Sequence, residues 1–105
     1  NPSAFNYRIG LWDVSQITDF SYVFSADRNK RLHDFNEDLT EWDLSNATTL
    51  RCMFNGCFSF NGDVSSWNVS NATDLRSMFD WCTSFNADVS SWNVSNATDL
   101  SWMFD

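Results

Sequence analysis

Positive charge, histidine and long apolar runs are all scarce in this chain of 105 residues. Lys and Arg number 6 against 14 Asp and Glu, a net charge of −8. A polyphosphate partner needs clustered basic side chains, so nucleic acid is a poor fit as a ligand. No apolar run approaches the roughly 18 residues of a membrane span, and no basic amphipathic stretch suits a membrane surface. A single histidine, His33, stands alone, and no acid, base or nucleophile occurs with an orienting partner in an unrepeated constellation. The sequence therefore points away from an enzyme and away from a cofactor. Cys52, Cys57 and Cys82 are spaced 5 and 25 apart with no histidine in register, which does not build a zinc or other metal site. Neither an initiator Met nor a leader precedes residue 1, and Asp105 falls partway through a repeat, so we expect a fragment of a longer chain or polymer.

What the chain does have is repetition. The stretch Phe60 to Ser84, FNGDVSSWNVSNATDLRSMFDWCTS, recurs at Phe85 after a shift of 25 and, looking back, at Phe35. A weaker copy from Phe5 aligns after a shift of 30, because Ser25 to Asp34 is longer than the matching connection Asn55 to Ser59. In this copy Arg8 and Gln16 replace the Asp and Asn of the later units. The units run approximately over 5–34, 35–59, 60–84 and 85–105. Such an array buries each apolar face against its neighbours and calls for caps or continuation at its ends. Around Val64, Trp67 and Val69 the residues are β-branched and aromatic with alternation, predicting a short strand. From Ala72 to Phe79 the spacing becomes helical, with Asn71 at the N-cap position and Asp74 in the first turn. The expectation is an α/β repeat solenoid of about four coils, leucine-rich-repeat-like, each coil a short strand plus a short helix or 3₁₀ segment.

The pattern F-N-x-D-[VL]-x-x-W-[ND]-[VL]-S-N-A-T-x-L-x-x-M-F resembles the BspA-like repeats, a divergent leucine-rich-repeat class of bacterial and microbial-eukaryote surface proteins. The resemblance covers nearly the whole chain. It implies an extracellular or cell-surface location and a role in adhesion or assembly, with no catalytic residues and no cofactor.

Equal positions of stacked units form columns about 4.8 Å apart. Trp12, Trp42, Trp67 and Trp92 make one, and Phe5, Phe35, Phe60 and Phe85 another, both expected in the core. Asn6, Asn36, Asn61 and Asn86 are expected to be buried and to satisfy backbone groups between coils. Asp38, Asp63 and Asp88 would repel one another unless each caps its own turn; a shared calcium is the competing reading. Trp81 and Trp102 break register, matching Gly56 and Ser77, and are candidates for exposed aromatic contacts.

Asn46, Asn68, Asn71, Asn93 and Asn96 each begin an N-x-S/T glycosylation sequon. If either column carries glycan, Asn68 and Asn93 are favoured because they point outward, whereas a helix cap would occupy the other three; the competing reading is that repetition of one structural Asn creates the sequons. Cys57 and Cys82 stack within disulfide reach, or else are small apolar fillers. The insertion holds Arg28, Lys30 and Arg31, half of the 6 basic residues, and offers either a solvated loop or a contact for an acidic neighbour. These features suggest a non-catalytic structural or adhesive building block of an appendage, filament or layer, associating with itself or lying in a longer parent chain. The alternative is a ligand-binding face, for glycans through exposed aromatics or for ice through the Thr18, Thr48, Thr73 and Thr98 column.

Overall fold

A computed structural model describes residues 9–104. The expectations placed on Phe5, Asn6, Arg8 and Asp105 lie outside the described residues. The α/β solenoid is overturned. Among the described residues the helical elements are two 3₁₀ turns, Ile9–Leu11 and Lys30–Asp34. Among the same described residues, parallel pairing is confined to the isolated bridges Asp19 to Thr49, Thr49 to Asp74 and Asp74 to Asp99, and no strand extends from them. The leucine-rich-repeat coil of strand and helix does not form.

Side-chain competition for backbone groups explains why. Between Ala72 and Phe79, where helical spacing predicts a helix, Asp74 accepts from the Arg76 N–H at 3.0 Å, closing a turn two residues long. Leu75, Ser77 and Phe79 donate their N–H groups to Asp99, Ser101 and Met103 at 2.9 to 3.0 Å, so these are withdrawn from any i to i−4 ladder. Ser77 has φ 58°, in the left-handed region that ends a helical run. The predicted strand fails in the same manner. Trp67 donates to the Val64 carbonyl at 3.1 Å, and Asp63 and Asn68 each accept from the N–H two residues on.

The chain instead winds through irregular turns whose backbone bonds run from one 25-residue unit to the next. Leu50, Cys52, Phe54 and Gly56 donate to Asp74, Arg76, Met78 and Asp80, and bonds in the opposite sense join Thr73 to Thr48 and Thr98 to Thr73. Across the insertion Phe20, Tyr22, Phe24 and Ala26 donate to Thr49, Arg51, Met53 and Asn55. We refer to the resulting turns as layers, with the described parts at 9–34, 35–59, 60–84 and 85–104. The molecule measures 44 × 27 × 22 Å with a radius of gyration of 13.1 Å, the size of a compact chain of this length.

The core follows the columns. Phe24, Phe54, Phe79 and Phe104 stack ring on ring at 5.5, 5.5 and 5.7 Å. Phe35, Phe60 and Phe85 form a second stack alongside it, with Phe54 to Phe60 at 4.2 Å and Phe79 to Phe85 at 4.0 Å. Trp42, Trp67 and Trp92 are buried, as expected, and each indole N–H donates to a carbonyl of the layer before, Ile9, Leu39 and Val64, at 2.7 to 3.0 Å. Trp12 starts the column with no layer in front of it among the described residues and is 51% exposed. Gly10 lies so close to the second layer that a Cβ would sit 2.0 Å from the Asp38 carbonyl oxygen, a contact only glycine permits.

Candidate functional site: exposed asparagines, tryptophans and the basic turn

All five sequon asparagines lie on the surface, and the hydrogen bonds divide them into two classes. Asn46, Asn71 and Asn96 donate Nδ2 to the carbonyls of Ser15, Ser45 and Ser70, each at 2.7 Å. Their amides are tied up as anticipated, but as ties to the preceding layer; the helices they were expected to cap are absent. Asn68 and Asn93 accept at Oδ1 from the N–H of Ser70 and Ser95, both at 3.0 Å, and their Nδ2 groups have no partner among the described residues. The nitrogen that would carry a glycan is therefore presented to solvent at these two positions.

The columns of Asp work as turn caps. Asp38, Asp63 and Asp88 hold the N–H groups of Thr40, Ser65 and Ser90 at 2.8 to 3.0 Å. The hydroxyls of those residues, and then the N–H bonds, lower all three carboxyl pKa values below the usual 3.8. Repulsion of Asp63 by Asp38 and Asp88 acts the other way but is smaller. Asp13, Asp19, Asp43 and Asp99 are lowered in the same way by Ser15, Ser21, Ser45 and Ser101. No group of three or more His, Cys, Asp or Glu among the described residues is arranged to hold a metal ion. The Asn36 and Asn61 column is exposed, against expectation, yet each Oδ1 does take the N–H of Asn61 or Asn86 in the next layer, at 2.9 and 2.7 Å.

Cys57 and Cys82 are free thiols, so of the two readings the disulfide is not made and the small apolar filler is. Each S–H points at a carbonyl, Phe24 for Cys57 and Phe54 for Cys82, both at 2.9 Å. Parallel layers project the two side chains alongside each other instead of toward each other. Burial pushes both thiols up to about 12, which makes them poor nucleophiles.

The insertion forms a capped turn. Asn29 accepts from the Arg31 N–H at 3.1 Å and starts Lys30–Asp34. Arg28, Lys30 and Arg31 are exposed, with the Arg28 guanidinium 4.1 Å from the centre of the Tyr22 ring. Leu32 returns to pack against the core, and His33 stacks on Phe58 at 4.5 Å, which makes it a structural side chain.

Trp81 and Trp102 are each 61% exposed, and both sit at positive φ, 62° and 60°. Sequence reasoning singled them out but missed the reason. They occupy two left-handed columns, one of Tyr22, Cys52, Ser77 and Trp102, the other of Gly56 and Trp81. The glycine at position 56 was the available signal. Reasoning from the repeat also missed an open apolar cavity of about 270 Å³ on the last layer, lined by Val89, Trp92, Val94, Leu100, Met103 and Phe104.

No described helix is long and apolar enough to cross a membrane. A family model described as "Mycoplasma protein of unknown function, DUF285" matches residues 1–30. No curated protein and no solved structure matches the chain. The family match lies in the first and most divergent unit; it agrees with the resemblance to BspA-like surface repeats in that part of the chain and leaves the three closely similar units outside it.

Proposed function

We propose that the chain is a non-catalytic structural or adhesive module of an extracellular or cell-surface assembly, such as an appendage, filament or layer. The observation that carries this reading is where the repeated polar side chains are spent. The Trp42, Trp67 and Trp92 indoles, the Asn46, Asn71 and Asn96 amides and the Thr48, Thr73 and Thr98 hydroxyls all donate to the preceding layer, and Asp38, Asp63 and Asp88 close their own turns. Polar chemistry here serves the joint between layers, as expected of a building block. A location outside the cell is supported by the sequons, whose Asn68 and Asn93 nitrogens face solvent. Antibody labelling of intact source cells and peptide mass analysis test this reading. Surface label with N-linked glycan on the Asn68 or Asn93 peptides is the expected result, and label confined to the cell interior with bare peptides would sink it.

A second reading, glycan recognition, is favoured by the exposure of Trp81 and Trp102, since flat indole faces stack on sugar rings. Binding to a glycan array that disappears in Trp81→Ala or Trp102→Ala would establish it. The ice-binding version has less behind it, because the Thr48, Thr73 and Thr98 hydroxyls are spent on backbone carbonyls of the preceding layer at 3.1 to 3.2 Å.

A further inference from the structure

We infer that Asn61-Gly62 is a site of spontaneous chemical modification, the water-dependent conversion of a side-chain amide to a carboxylate, and that the layers lock the same dipeptide at Asn55-Gly56 against it. These are the two Asn-Gly pairs of the chain. Asparagine is chemically labile because the backbone nitrogen of the following residue lies close enough to attack its side-chain carbonyl and close a ring. A glycine in that following position favours the attack, since no Cβ crowds the approach.

The two pairs differ in the features that this attack requires. Asn61 is exposed, and the Gly62 N–H has no acceptor among the described residues. Asn61 Oδ1 accepts the Asn86 N–H at 2.7 Å, which polarises the amide carbonyl and supplies a donor for the charge that develops on this oxygen during attack. At the other pair Asn55 is buried, its Nδ2 donates to Asp80 Oδ2 at 3.3 Å, and the Gly56 N–H donates to the Asp80 carbonyl at 2.8 Å. Reaction there has to wait for the joint between the second and third layers to open. In the column of Asn61 itself, Asn36 precedes Glu37 and Asn86 precedes Ala87, so a side chain stands where Gly62 has none.

The step balances with water as the co-reactant. The Gly62 nitrogen, its proton lost to solvent base, bonds to Asn61 Cγ; the Cγ–Nδ2 bond breaks and that nitrogen leaves as ammonia, taking its proton from solvent. Water then opens the ring at one of its two carbonyls. Opening at Cγ gives an ordinary aspartate, which keeps an oxygen for the Asn86 N–H. Opening at the main-chain carbonyl leaves the chain running through Cβ and Cγ, an isoaspartate that lengthens the backbone at the joint between the third and fourth layers. Either product adds a negative charge two residues before Asp63 in a chain that already carries a net −8.

Peptide mapping by tandem mass spectrometry tests this, on the folded 105-residue chain held at mildly alkaline pH with a parallel incubation in urea. In the folded chain Asn61 should convert faster than Asn55 by about tenfold or more, because a reaction gated by opening is slowed by the opening equilibrium. In urea the two rates should converge. Conversion at Asn61 should speed up with pH as the Gly62 nitrogen gives up its proton, and Gly62→Ala should slow it severalfold. That variant should keep its fold, since Ala87 holds the equivalent position in the next layer and the added Cβ meets only the Phe60 ring at 2.9 Å, a side chain free to shift. Circular dichroism checks the fold; if it is lost, the contrast between Asn61 and Asn55 in the native chain decides alone. Asn55 converting as fast as Asn61 in the folded chain, a difference that persists in urea, or a folded Gly62→Ala chain that converts at the native rate would overturn the inference.

Discussion

Trp67 is held by two independent effects, burial of its indole and a hydrogen bond from Nε1 to the Leu39 carbonyl at 3.0 Å. Trp67→Ala should therefore cost about 3–5 kcal/mol, whereas Trp12→Ala, at a half-exposed start of the same column, should cost less than about 1. Urea denaturation of the two variants checks the contrast. The same scale governs the thiols. With Cys57 and Cys82 pushed up to about 12 by burial, iodoacetamide at neutral pH should leave both unlabelled in the folded chain and label both after unfolding. Among the carboxylates, Asp63 sits below its ordinary 3.8 because the Ser65 hydroxyl and N–H hold its charged form. A folded carboxyl that titrates below the unfolded one binds fewer protons, so its contribution is present above that value and is lost as pH falls through the lowered range. Melting temperature should accordingly decline below about pH 3.8, and Asp63→Asn should have a shallower decline. Asn68 makes the same bond to the residue two positions on, so the substitution keeps the turn.

Turns dominate the element scale, and their left-handed residues are its weak points. Gly56 at φ +79°, with an added Cβ only 3.0 Å from that of Ala26, should lose about 1 kcal/mol or more on replacement by Ala. Trp81 holds the equivalent position in the next layer at φ 62° with most of its ring in solvent. Trp81→Gly should stabilise the chain by about 1 kcal/mol by relieving the left-handed conformation, a gain that a thermal melt resolves. Loss of stability in that variant would mean that the indole packs on something after all. At this scale the sequence was only partly legible. The helix expected from Ala72 to Phe79 has the right apolar spacing, and Leu75, Met78 and Phe79 are indeed buried together. The spacing does not reveal that Asp74 prefers its own turn or that Leu75 N–H finds Asp99 across the layers. Apolar periodicity reports which side chains go inside, and it is silent on where backbone donors go. The candidate asparagines show the same limit in another form: the sequence set Asn68 and Asn93 apart from Asn46, Asn71 and Asn96 through an expected helix cap, whereas the occupied amides are held by the Ser15, Ser45 and Ser70 carbonyls of the preceding layer.

For the whole molecule, stability should grade along the stack. Met53, Phe54, Leu75 and Met78 are fully buried in the middle layers, while Leu100 and Phe104 remain open to solvent. Hydrogen exchange should find the amides of Leu50, Cys52 and Phe54 slowest and those of Leu100, Trp102 and Phe104 fastest in dilute solution, because the former donate to the next layer and the latter have no described acceptor. Uniform exchange across the layers would contradict a graded stack.

By itself the sequence determined the unit length, the columns and the inside of the molecule, since a repeat of 25 places like residues over like and large aromatics leave water wherever a neighbour can cover them. Burial of Trp42, Trp67 and Trp92 and capping by Asp38, Asp63 and Asp88 both follow from that. The tertiary structure decided the backbone. Short-range bonds to Asp and Asn side chains compete with helix and strand for the backbone N–H groups and close turns, so N–H groups left over pair between layers, and that choice depends on a neighbour 25 residues away that no local pattern contains.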